Sequence, residues 1–161
     1  MRYSTFIMAD TQSQIVSGSP ARTELIAIAI GKRLRGGEVI DLIGDLGSGK
    51  TTFVRGLAKG LGSSAPVSSP TFKINNVYTG GKLRLYHFDF YRLAESGILA
   101  SELAEILTEP DCAIVIEWSD IVRTQLPKKQ LTITFTQTAD KTRQLIFSYP
   151  KSLDYMVKGI L

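Results

Sequence analysis

At 161 residues and 17.7 kDa the chain has the length of one domain and can bury a core of its own. Hydrophobic residues at 43% and charged residues at 21% match soluble globular proteins, which excludes disorder over most of the length. A single cysteine, Cys112, and a single histidine, His87, exclude an internal disulfide, a cysteine zinc cluster and a His-rich metal site. The net charge of +4 is too slight to demand an acidic or nucleic-acid partner.

The opening stretch, MRYSTFIMADTQSQ, falls short of the roughly 7–15-residue apolar core of a signal peptide. No apolar run nears the roughly 20 residues that span a bilayer. The expectation is a cytoplasmic protein with no membrane contact, forming one domain over 1–161. Tyr3–Met8 reads as a short first strand. Ser19 and Pro20 read as the cap and first position of a helix over Ala21–Leu34, with Leu25, Ile26, Ile30 and Leu34 inward. Gly36 and Gly37 stop it. Glu38–Ile43 (EVIDLI) is a short apolar strand of the kind a covered sheet needs. Lys50–Leu61 reads as a helix with Phe53, Leu57 and Leu61 on one face and Gly62 at its end. Ser63–Pro70 is a polar loop. Thr71–Tyr78 and Lys82–Asp89 form a hairpin about Gly80-Gly81.

Ser96–Leu107 reads as an amphipathic helix with Leu99, Leu103, Ile106 and Leu107 inward. Cys112–Ile116 (CAIVI) is the second apolar strand and ends at Glu117. Leu131–Thr138 and Arg143–Ser148 form a further hairpin around Ala139–Lys141. Residues 150–161 are either a tail or a terminal helix. The whole predicts an α/β layered domain with a mixed parallel and antiparallel sheet flanked by helices.

Between the first apolar strand and the following helix lies GDLGSGKT, Gly44–Thr51, which fits the phosphate-loop pattern GxxxxGK[ST]. Glycines let successive backbone N–H groups turn inward around phosphate oxygens with no Cβ in the way. Lys50 brings a cation to the β- and γ-phosphates, and the Thr51 hydroxyl is a magnesium ligand. The helix starting there directs its positive dipole end at the anion. The strand before and helix after supply the context the motif requires, so the chain reads as a P-loop NTPase binding a nucleoside triphosphate with Mg2+.

Such a site needs an acid at the end of a neighbouring strand. Glu117 ends AIVIE and is assigned to the magnesium shell, because buried parallel strands are the more apolar ones. Its competing reading is a solvated strand-end acid. Asp89 ends the more polar LRLYHFD, which looks like the outer arm of a hairpin. It is assigned to orienting water or sensing the γ-phosphate, against pairing with Arg92. Trp118 is either a core residue or a base-stacking one. His87, on the Asp89 face of its strand, reads as structural support, Cys112 as a small buried hydrophobe. Lys128, Lys129, Lys141 and Arg143 read as solvated charge.

GDLGSGKTTFVRGLAKGLG (Gly44–Gly62), SSPTF (Ser68–Phe72), YHFDFYRL (Tyr86–Leu93) and VIEW (Val115–Trp118), in that order, resemble the TsaE family. That family comprises small bacterial ATPases of tRNA threonylcarbamoyladenosine biosynthesis. The resemblance spans about Pro20 to Ser148. It implies a mixed-sheet fold, slow ATP hydrolysis, and work with TsaD and TsaB on adenosine 37 of tRNAs reading ANN codons. It further implies that Gly47, Ser48, Gly49, Lys50, Thr51 and Thr52 bind phosphates, while Thr51 and Glu117 hold Mg2+. Ser69, Pro70 and Thr71 match a switch-like loop, Asp89 an acid needed for activity, and Trp118 a tryptophan beside the nucleotide. Thr23 and Arg143 match further nucleotide contacts. The rival readings are a small nucleoside or nucleotide kinase and a GTPase. The first needs an arginine-bearing lid, doubtful between Glu95 and Glu117, where no arginine occurs; the second lacks its guanine-reading [NT]KxD segment.

Overall fold

The computed structural model describes residues 11–70, 73, 75–93, 97–138 and 142–160. The strands are β1 (Thr11–Ser17), β2 (Val39–Ile43), β3 (Asn75–Gly80), β4 (Leu83–Asp89), β5 (Cys112–Glu117), β6 (Leu131–Gln137) and β7 (Arg143–Tyr149). The helices are α1 (Pro20–Gly31), α2 (Lys50–Leu61), α3 (Gly97–Ile106) and a short α4 (Asp154–Val157). One seven-stranded sheet runs β1-β7-β6-β2-β5-β4-β3. Its centre, β4-β5-β2-β6, is parallel; β3 and β7 flank it antiparallel, and β1 pairs antiparallel with β7. The mixed sheet and its helices agree with the sequence expectation.

Period-two alternation sends each central strand's side chains to two cores. Ile40, Leu42, Ala113 and Val115 pack with Ile26, Ile30, Phe53 and Leu57 of α1 and α2. Val39, Cys112, Ile114 and Ile116 pack on the other face with Leu99 and Leu103 of α3. The Ser19 side chain caps α1 by accepting from Arg22 N at 3.1 Å. Among the described residues no helix is long and apolar enough to cross a membrane.

Several expectations are corrected. Leu25 is 59% exposed, because Ile26, Ala27 and Ile30 carry the inward stripe of α1. β4 is no outer arm: it pairs parallel with β5, and β3 forms the sheet edge. The two apolar runs EVIDLI and CAIVI are the middle of a four-strand parallel core. The two glycines of the first hairpin divide their work. Gly81 takes a φ of 59° in the turn, while Gly80 ends β3 with no room for a Cβ against the Leu61 carbonyl. The edge strand β1 went unread, since TQSQIVS carries little apolar signal; Tyr3–Met8 lies outside the described residues. Residues 151–157 form a 3-10 turn and α4, with Leu153, Met156 and Val157 buried in the α1/α2 core.

Candidate functional site

The carboxyl ends of β2, β4 and β5 converge, which is where open α/β sheets place their ligands. β2 delivers the Gly44–Thr51 loop. Gly47 and Gly49 adopt φ values of 76° and 107°, left-handed conformations that a side chain would strain, and Gly49 caps the start of α2. A cavity of about 550 Å³ opens there, lined by Gly47, Gly49, Lys50, Thr51, Thr52, Ser69, Pro70, Asp89, Glu117 and Trp118 among others. That volume suits a nucleotide-sized ligand.

Lys50 is 4% exposed, and its Nζ donates to the carbonyl oxygens of Gly44 and Asp45 at 2.7 and 2.9 Å. Burial pushes the ammonium below the usual lysine value, while Glu117, Asp89 and Asp45 pull it back up. The Trp118 ring lies 4.6 Å from this Nζ, and Tyr91 packs against the same ring at 4.8 Å. Trp118 also carries a φ of 57°, the one left-handed non-glycine among the described residues. That conformation ends β5 and turns the chain into the 3-10 segment Ser119–Gln125, at a cost on the order of 1–3 kcal/mol.

Glu117 is 3% exposed at the end of β5, so a solvated acid is excluded. Its Oε1 accepts from Thr51 Oγ1 at 3.3 Å and lies 2.9 Å from His87 Nε2. A hydroxyl and a carboxylate that meet beside the Gly44–Thr51 loop are hard-oxygen donors of the kind magnesium prefers. Among the described residues no three His, Cys, Asp or Glu side chains cluster for a metal. A magnesium ion there would therefore complete its shell with phosphate and water oxygens. Asp89 sits opposite Glu117 in the β4–β5 register. Its carboxylate accepts from Ser69 Oγ at 2.5 Å and from Tyr91 N at 3.0 Å, rather than pairing with Arg92. It thereby ties the Ser63–Pro70 loop to the turn after β4.

The remaining predicted residues divide. Ser48 is buried behind the loop, 4% exposed. Arg143 donates from Nε to Ser48 O at 3.1 Å and so braces the phosphate loop from β7. Thr23 is not among the cavity-lining residues; its hydroxyl bonds Ser17 Oγ at 2.7 Å. Thr71 and Lys141 lie outside the described residues. Lys73, Tyr91 and Arg92 also line the cavity, although Arg92 was weighed only as an ion-pair partner of Asp89 and none of the three was assigned to the site. Their nearness to SSPTF and YHFDFYRL was the available signal, but a loop's side chains cannot be aimed from spacing alone.

A family model described as "Threonylcarbamoyl adenosine biosynthesis protein TsaE" matches residues 17–145. The chain belongs to the TsaE family. Relatives named tRNA threonylcarbamoyladenosine biosynthesis protein TsaE include that of Bacillus subtilis (strain 168), 36% identical over 131 residues, covering 81% of each chain. The Treponema pallidum TsaE is 39% identical over 130 residues, covering 81% of this chain and 96% of its own. The crystal structure of Bacillus subtilis YdiB superposes with a TM-score of 0.76 at 33% identity, covering 91% of both chains. All the site residues described above, from Thr23 to Arg143, fall inside the span matched to TsaE.

Proposed function

We propose that this chain binds Mg-ATP, hydrolyses it slowly, and serves, with TsaD-like and TsaB-like proteins, to form the threonylcarbamoyl group on adenosine 37 of tRNAs reading ANN codons. The observation carrying this reading is the convergence of Lys50, Thr51, Glu117 and Asp89 on one cavity in a chain of the TsaE family. The loop amides and Lys50 hold the phosphates, since charge-assisted bonds to phosphate outweigh those to neutral carbonyls. Thr51 and Glu117 give hydroxyl and carboxylate oxygens to magnesium, which when bound neutralises charge developing on the β- and γ-phosphates. Asp89 orients the attacking water by accepting its hydrogen bond. Ser69, bonded to Asp89, carries the γ-phosphate's presence into the Ser63–Pro70 loop, where a partner can read it. The tRNA is reached through the partner complex, which places the work in the cytoplasm.

The shared description of the relatives favours this over a small kinase. The test is reconstitution of tRNA threonylcarbamoylation from the partner proteins with and without this chain. Product formation that needs both this chain and ATP, with ATP turnover in the absence of any acceptor, supports the proposal. Phosphate transfer to an added nucleoside, or product formation indifferent to this chain, refutes it.

A further inference from the structure

His87 is the chain's single histidine and is fully buried on β4. In the β4–β5 register it stands opposite Val115, two residues before Glu117, so the imidazole and the carboxylate share one face of the sheet. Its Nε2 lies 2.9 Å from Glu117 Oε1, the oxygen that also accepts from Thr51. An ionised carboxylate only accepts, so the ring proton belongs on Nε2. The other nitrogen, Nδ1, is buried and has no partner among the described residues, and a bare lone pair there leaves no donor orphaned. A histidine kept only for packing has no need to direct a polar contact at an acid in the site. The ring is further confined by Tyr78, 6.2 Å away between centroids, whose hydroxyl donates to Ser68 O at 3.3 Å.

We propose that His87 is a positioning residue for Glu117: with Thr51 it saturates Oε1, fixes the carboxylate's rotamer and leaves Oε2 as the oxygen offered to magnesium. This rests on the Mg-ATP reading above. The contact from His87 is shorter than that from Thr51 and comes from a ring the core immobilises. Partners that hydrogen-bond a metal ligand in this way typically change metal affinity by about 10–100-fold when lost.

The single imidazole makes the test direct. Long-range proton–nitrogen correlation spectra of the 15N-labelled full chain should show the Nε2–H tautomer. With saturating ADP, adding Mg2+ should shift the His87 nitrogens relative to the same sample in EDTA. An Nδ1–H tautomer, or spectra indifferent to Mg2+, would overturn the proposal. In parallel, ADP binding is followed by Trp118 fluorescence. His87→Leu should raise the Mg2+ half-saturation point by about tenfold while leaving ADP affinity in EDTA unchanged, and His87→Gln, which keeps a donor, should restore it. A wild-type Mg2+ response in a folded His87→Leu protein contradicts the proposal; if that variant does not fold, the wild-type spectra decide. Failure of the wild-type chain to bind ADP in either condition would instead remove the Mg-ATP reading, and this inference with it.

Discussion

Asp89 and Glu117 are both strand-end carboxylates, yet their surroundings differ. Glu117 is buried against Thr51 and His87, whereas Asp89 is held by a loop residue, Ser69, and by the turn amide of Tyr91. Glu117→Gln is therefore expected to weaken the Mg2+ dependence of nucleotide binding. Asp89→Asn should leave binding intact and lower turnover by about a hundredfold or more, the scale of a lost general-base or water-orienting contact. Fluorescence titration and initial rates of phosphate release check the pair; the reverse pattern would exchange the two assignments. At this scale the sequence was informative where residue type and chemistry coincide. The motif residues Gly47, Gly49, Lys50 and Thr51 and both acids were legible. The His87–Glu117 contact was not, because it depends on strand order, which places β4 beside β5.

β2 shows what a pattern of apolar strands conceals. Within VIDLI, Asp41 is wholly buried, and among the described residues neither of its oxygens has a hydrogen-bond partner. Burial pushes its carboxyl above the usual carboxylate range, with the nearby Ser119 hydroxyl and the Arg123 charge opposing more weakly. A raised folded value means the folded chain holds this proton more tightly than the unfolded chain. The stability Asp41 contributes is then fully present below about pH 3.8 and is lost as pH rises through the raised value. Asp41→Asn removes that loss, so its melting temperature should rise relative to wild type between pH 4 and 7. Thermal melts across that range check this, and a difference that shrinks with rising pH would contradict it. α2, with its helical periodicity, and β2 and β5, as short continuous apolar runs, were legible from sequence. β1 was missed because an edge strand beside β7 alternates half-buried and exposed residues and buries only Ser17, and β4 looked peripheral because it is more polar than β5.

Across the whole molecule, the phosphate loop sits between two cores joined through one sheet, and the chain's last turns close the far end of the first. Met156 is fully buried there, so Met156→Ala should destabilise the fold by about 2–5 kcal/mol while leaving nucleotide affinity unchanged. Denaturant unfolding checks it; a cost near zero would mean the terminal segment is a loose tail. The sequence could not place that segment, because four helical residues carry too little periodicity to reveal a face. The proposed function depends on a triphosphate fitting the cavity at the Gly44–Thr51 loop. The most direct measurement is calorimetric titration of Mg-ATP into the wild-type chain and Lys50→Ala. Saturable one-site heat in the wild type that vanishes in the variant is the predicted result. No heat in the wild type, or equal heat in both, would contradict it.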